Sequence, residues 1–405
     1  MATPDDGTLP EEAYAAALAS LPGVGPKTLR ALLDSTPPQT AWQALLAGRT
    51  APLGRPAPVV RAARATDVAE VWKRHRRAGI GVSVLGRAGY PAALAKDPEA
   101  PAVLFSLGDP SVVDRHPRVA IVGTRSATRY GLGVAAQLGA ELAAAGVVVA
   151  SGLALGIDGA AHEGSYAAWH TVQATSSAAS IGPNAGPPVA VVAGAVDAPY
   201  PRQHTGLWWR VAEAGAVLSE SPADSADGGW RFPMRNRIIA ALADVVVVVE
   251  CHARGGSLHT VQAAAKRGIP VGAVPGSVRS PASAGTNALL ADGCFVVRDV
   301  SDVLVAVGLA TASLPIRRPE GCGGERVEEG IAESEVEQSA DDADDGSQEE
   351  DPVLAIVLDA IGWERCSLED VLARSGLALD VAAGALERLR AQGRLHGVGG
   401  WWERA

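Results

Sequence analysis

Residues 232–241 (FPMRNRIIAA) set Arg235, Asn236 and Arg237 just ahead of an apolar run at 245–249. Two guanidinium groups and an amide at a helix start are groups that hold phosphate, through charge and paired N–H donors. The segment contains no Ser, Cys, His or carboxylate, so it supplies neither a nucleophile nor a general base. The chemistry on offer is binding.

Further candidate ligands follow other apolar runs. Gly123, Thr124 and Arg125 come after 119–122, Ser151 and Gly152 after 147–150, Arg202 within 194–203 (GAVDAPYPRQ), and Gly256 and Ser257 after 245–249. Glycines and small hydroxyl residues let a backbone approach a phosphate, while the helix that follows supplies amides and partial positive charge. Arg125, Arg202, Arg235 and Arg237 are then expected to meet around one edge. That is more cation than one small nucleotide needs and suits a polynucleotide backbone, with Phe232 and Tyr200 as stacking faces. Taken singly, each arginine is equally a surface charge or half of an ion pair.

A separate turn, 21–27 (LPGVGPK), lies between two alanine-rich helical patterns within 11–47. In a helix-hairpin-helix such a turn bares its amides to a phosphate, with Gly23 and Gly25 shaping it and Lys27 adding charge; an ordinary turn between packed helices is the alternative. Asp158 and His162 stand four apart at another helix start. An N-capping aspartate with a neighbour on one face accounts for them with fewer assumptions than a catalytic pair.

Two phosphate signatures are missing. No GxxxxGK[ST] occurs, and 119–125 (VAIVGTR) does not continue as GxGxxG, so neither Walker-type hydrolysis nor a nicotinamide or flavin cofactor is indicated. The four cysteines form no CxxC pair, which argues against a zinc site or a disulfide framework and fits a reducing cytoplasm. The start of the chain resembles no signal peptide, and no run approaches membrane-spanning length.

The elements that must position these groups follow from hydrophobic pattern. From residue 118, β-branched runs at 119–122, 147–150, 189–192, 217–219, 245–249, 271–274 and 295–297 alternate with alanine-rich helical stretches, the mark of a doubly wound parallel α/β sheet. Residues 55–108 read as a mixed connector with one helix at about 63–78, whose basic run 73–77 is a solvated face. Residues 171–188 read as a flexible insertion carrying no core. The net charge of -10 is local: 325–351 holds 13 Asp and Glu against one Arg, leaving about +2 for the rest. That segment is expected to be a disordered linker. Periodic apolar residues resume in 352–405 as three short helices and a glycine-bearing turn, a winged-helix pattern.

The motifs VAIVGTRSATRYG, VVASGLALGIDGAAHEGS, GAVDAPYP, RFPMRNRIIAALADVVVVVE, GGSLHTVQAAAKRGIPVGAVPGS and GTNALLADG, in this order, resemble the DprA/Smf family of DNA-processing proteins. The resemblance implies an extended Rossmann-like fold and a non-enzymatic homodimer. It implies a protein that binds and protects single-stranded DNA and loads RecA recombinase on it during natural transformation. It places the family's pocket on Arg125, Phe232, Arg235 and Arg237. His204 stands where the family usually has Asn, leaving Arg202 as the nearest cation of its loop.

The expected layout is a helical, SAM-like domain with the hairpin (1–100), a DNA-binding sheet domain (101–312), the acidic linker (313–351) and a winged-helix domain (352–405). Two other functions compete. Residues 255–260 (GGSLHT) are a distant version of the PGGxGTxxE motif of nucleotide phosphoribohydrolases, but Ala263 occupies the glutamate position, so Glu250 or Glu220 would have to substitute. A regulator reading duplex DNA through 381–393 is the other.

Overall fold

The computed structural model describes residues 9–49, 56–175, 185–225, 231–311, 352–361, 366–375, 377–392, 394–398 and 401–404. Its described residues fall into two units, 1–314 and 315–405.

The first unit opens with five helices, α1 (Glu11–Ala19), α2 (Pro26–Leu33), α3 (Pro38–Leu46), α4 (Pro56–Ala65) and α5 (Val68–Arg77). Alanines 13, 15, 16 and 17 with Leu18 are buried, which lets α1 sit deep among its neighbours. The turn before α2 has Gly23 at φ +83°, a conformation that costs little only for glycine, and Pro26 starts the helix where no amide partner is needed.

The connector is richer than its sequence pattern suggested. Instead of one helix at 63–78, two are broken at Thr66 and Asp67, because the Asp67 carboxylate accepts the amides of Ala69 and Glu70 and restarts the turn. Two strands also lie there, β1 (Gly81–Val84) and β2 (Val103–Gly108), separated by the short α6 (Ala92–Ala95). β1 thus falls inside the 1–100 segment expected to be helical. The basic run of α5 is solvated as expected except for His75, which is fully buried.

The chain then alternates through β3 (Arg118–Val122), α7 (Arg129–Ala144), β4 (Val148–Ser151), α8 (Ile157–Thr175), β5 (Pro188–Val192), α9 (Thr205–Ala214), β6 (Ala216–Ser219), α10 (Arg231–Leu242), β7 (Val245–Val248), α11 (Leu258–Ala265), β8 (Val271–Ala273), α12 (Ala284–Ala291), β9 (Phe295–Val296) and α13 (Val300–Thr311). These nine strands form one mixed sheet, β1-β2-β6-β5-β4-β3-β7-β8-β9, in which β2 pairs antiparallel with both β1 and β6 and the seven strands from β3 to β9 run parallel. The expected insertion is shorter than its composition implied: 171–175 complete α8, Pro188 opens β5, and Ala185 is buried, while 176–184 lie outside the described residues. The acidic segment 313–351 also lies outside them.

Valine-rich strands are buried on both faces because each face has its own cover. Val119, Ile121, Val245 and Val247 meet Leu138 and Leu142 of α7, Ile157 of α8 and Val303 of α13. Ala120, Val122, Val246 and Val248 meet Ile238, Ile239 and Leu242 of α10 and Ala264 of α11. A further cluster joins Leu18, Leu29, Trp42 and Leu45 of the N-terminal helices to Phe105, Trp208, Val211 and Val217. Each fully buried valine or leucine is worth about 1.5–3 kcal/mol relative to exposure.

The second unit contains α14 (Pro352–Ile361), β10 (Cys366–Ser367), α15 (Leu368–Ser375), α16 (Leu379–Ala391), β11 (Leu395–Val398) and β12 (Trp401–Arg404). Its sheet is antiparallel in the order β10-β12-β11, and Val357, Ile361, Val371, Leu386 and Leu389 form its core. Among the described residues of the chain, no helix is long and apolar enough to cross a membrane.

Candidate nucleic-acid interface

β3 pairs with β4 on one side and β7 on the other, so the winding direction reverses between β3 and β7. Loops leaving two such strands diverge to opposite faces and open a crevice beyond their carboxyl ends. A cleft of about 340 Å³ lies there, lined by Gly123, Thr124, Arg125, Phe232, Arg235, Asn236, Gly256 and Ser257, together with Asp158 and His259. Eight of the residues singled out in the sequence thus converge, and Gly152 joins Arg125 and Phe232 in an adjoining pocket of about 50 Å³ beneath Tyr200.

At the mouth, the exposed Arg125 guanidinium lies 4.5 Å over the centroid of the Phe232 ring. Tyr200, 48% exposed, stacks obliquely with Phe232 at 5.9 Å between centroids. A cation and two aromatic faces in contact form a platform for an unstacked base and its phosphate. Trp208 floors the small pocket, its indole N–H donating to Val196 O at 2.9 Å. Across the cleft, the Asn236 amide donates to Gly256 O at 3.3 Å, tying α10 to the loop after β7. In that loop the first amides of α11 are satisfied within the turn: Leu258 bonds Gly255 O, His259 bonds Gly256 O and Thr260 bonds Ser257 O. The Gly256 and Ser257 N–H groups have no acceptor among the described residues. A Cβ at Gly256 would meet nothing within 4 Å, so the backbone is open to a ligand.

Several candidates serve the fold instead. Arg235 is only 6% exposed; its guanidinium donates to Val191 O, and burial holds it down to about 10 despite Asp158 beside it. It is a wall of the cleft, not a free phosphate-facing cation. Gly152 is where that side chain fits, since an added Cβ would overlap the guanidinium. Ser151 is fully buried with its hydroxyl donating to Ile121 O at 2.6 Å, and the Ser257 hydroxyl donates to Cys251 Sγ at 3.0 Å. Neither hydroxyl is presented to a ligand. The Thr124 amide is spent on Glu250 O at 2.8 Å, and Gly123 is required because a Cβ there would strike Ile157 and that same carbonyl.

Arg237 lies outside the cleft. It forms a two-pronged ion pair with Glu220 at 2.7 and 2.6 Å and donates to Glu99 O at 2.8 Å, so its charge is neutralised. Arg202 is exposed on a short turn before α9 and lines neither the cleft nor the pocket under Tyr200. Gly23 and Gly25 border another cavity, of about 680 Å³, that Lys27 does not line.

Asp158 is not an N-cap. It sits in the first turn of α8 and accepts the Gly152 amide at 3.1 Å; burial pushes its carboxyl up, against the pull of Arg235 and Arg125. Burial also holds His162 down to about 3. His204 pins the β5–α9 loop to the β4–α8 loop, its Nδ1–H donating to Leu153 O at 2.9 Å. Leu153 accepts this bond from a strained backbone at φ +54°.

The carboxylates that a hydrolase would need are occupied. Glu250 receives the Thr128 amide at 2.9 Å and the Thr128 hydroxyl at 2.6 Å, anchoring the start of α7. Glu220 holds Arg237, and Ala263 is buried in α11. Among the described residues no three His, Cys, Asp or Glu side chains are placed to hold a metal ion.

Fold and site together define a doubly wound α/β protein whose switch-point crevice presents a cation, aromatic faces, free amides and the exposed imidazole of His259. The profile of the DNA recombination-mediator protein A family matches residues 82–308, and the chain belongs to that family, also known as DprA/Smf. It is 42% identical over 209 residues to a DprA-type DNA processing protein of Mycobacterium tuberculosis, the match spanning 51% of this chain and about half of that one. It is 35% identical to the DNA processing protein DprA of Bacillus subtilis over 58% of this chain and 73% of the relative. The X-ray structure of DNA processing protein A from Streptococcus pneumoniae superposes with a TM-score of 0.60 at 26% identity, covering 74% of this chain and 98% of the other.

Proposed function

We propose that the switch-point cleft binds single-stranded DNA, with a phosphate held by Arg125 and the Gly256 and Ser257 amides and bases stacked on Phe232 and Tyr200. The observation that carries this reading is the Arg125–Phe232–Tyr200 platform at the crevice mouth. Duplex DNA keeps its base faces covered, so an exposed Tyr200 ring and a half-buried Phe232 ring next to a phosphate site favour an unpaired strand. Contacts to backbone and ring faces carry little sequence information, and binding is expected to be salt-dependent and sequence-tolerant.

Loading of RecA on the bound strand and homodimerisation belong to the same reading and rest on family membership; no residues are assigned to them. The order helix, strand, two helices and two strands supports reading 352–405 as a winged helix, and the α1–α2 turn supports a helix-hairpin-helix in the N-terminal segment. Titration with oligo-dT and with duplex of equal length, at several salt concentrations, tests the site. The strand is expected to bind more tightly than the duplex, and RecA is expected to form filaments on strands first coated by single-strand-binding protein. Equal affinity for the duplex, with no effect of Phe232→Ala, would sink the reading.

A further inference from the structure

A second cavity, of about 450 Å³, lies between the start of α2 and the outer faces of α10 and α11. Its charged lining is Lys27, Arg30, Arg237, Lys266 and Arg267 against Glu99 and Glu220. Both carboxylates are already held by arginines: Glu220 by Arg237, and Glu99 by Arg267, which also grips Asp97 at 2.6 Å. Arg30 donates to a neutral carbonyl, Ala100 O, at 2.6 Å and keeps its charge uncompensated. Lys27 and Lys266 are exposed and have no ion-pair partner among the described residues. The chain has only four lysines, and two of them face this cavity.

The cavity also adjoins the cleft. Pro233 and His259, both exposed, line the two of them and form a low saddle between. Pro26, Pro98 and Met234 add apolar wall suited to sugars. A strand lying across Phe232 and Gly256 therefore has a continuous way over Pro233 and His259 to three uncompensated cations. An isolated small anion would not require that continuity.

We infer that this cavity is a second contact site for the phosphate backbone of the same single strand, with Lys27, Lys266 and Arg30 as its cations. The N-terminal helices then take part in strand binding through Lys27 and Arg30, not through the glycines of the hairpin turn. The inference rests on the cleft being the primary single-strand site.

The test compares two oligo-dT probes on the full chain, one of about 5 nucleotides that fills only the cleft and one of about 20 that continues across the saddle. For the variant Lys27→Ala/Lys266→Ala, the long probe is expected to lose affinity and its log-log salt slope to fall by about 1.4, at about 0.7 per lost phosphate contact. The short probe should bind as before. Charge reversal, Lys27→Glu/Lys266→Glu, should deepen the loss on the long probe alone, with an unchanged thermal midpoint since both side chains are exposed. Unchanged affinity and slope on the long probe, or equal loss on both probes, overturns the inference. Arg125→Ala is the parallel control: weakening of both probes keeps the cleft assignment standing even if the lysine result fails, and no weakening of either removes the cleft itself.

Discussion

Arg125 and Arg235 carry the same charge but face different media. Arg125 projects over the Phe232 ring into water, and Arg235 is enclosed between Val191 O and Asp158. Arg125→Ala is therefore expected to leave the urea midpoint unchanged while lowering the single-strand salt slope by about 0.7. Arg235→Ala leaves the Val191 carbonyl without its donor and the buried Asp158 without the opposite charge beside it, and should cost about 3–5 kcal/mol in urea denaturation. Wild-type stability in that variant would refute its assignment as a wall. Gly152→Ala reaches the same guanidinium from the other side, and the overlap should destabilise by about 1–3 kcal/mol, read in the same experiment. In the sequence the two arginines of RNR look alike. The helical period separates them from each other: positions 235, 238, 239 and 242 share the buried face of α10, and 237 turns to Glu220. The loop cation was legible because its immediate chain neighbours, Thr124 and Ser126, are polar, whereas partners such as Glu220 and Val191 come from other parts of the chain and could not be read locally.

At the scale of elements, the seven parallel strands were visible because continuous β-branched runs have few other uses. β1 and β2 escaped because GVSV is short and β2 lies in a stretch without the alternating rhythm. Strand order was not legible at all, since pairing depends on which helix crosses which face; yet it is the adjacency of β3 and β7 that creates the crevice. A second consequence of element packing is pH dependence. The Nδ1 of His75 donates to Val71 O at 2.8 Å, so Nε2 accepts the Ala223 amide at 3.3 Å and α5 clasps the loop after β6 only with a neutral ring. Burial lowers its pKa, as it lowers that of His162 to about 3. Both stabilise the fold fully above the unfolded value near 6.5, and that contribution is lost as pH falls below it, because the unfolded chain takes up the proton first. For the enclosed His162 the loss between pH 7.5 and 5.5 is about 1.4 kcal/mol. Denaturation at those two pH values should show the drop, and His162→Leu should shrink it; an identical drop in that variant would remove His162 from the account.

For the whole molecule, the net charge of -10 is unevenly spread: the acidic stretch 325–351 carries 13 Asp and Glu against one Arg, and the rest is close to neutral. The second unit has its own core, and the platform residues all belong to the first. Removal of 352–405 is accordingly expected to leave oligo-dT affinity unchanged in a titration, and a large loss would move the site into the tail. The N-terminal helices stand differently. Leu18, Leu29, Trp42 and Leu45 share a core with Phe105, Trp208 and Val217, and β1 pairs along β2. A chain begun at residue 101 would keep every parallel strand yet expose Phe105 and the floor of the Tyr200 pocket to water. The helical segment and the sheet are therefore a single cooperative inheritance: neither can be transplanted into another protein as a self-sufficient module without the other.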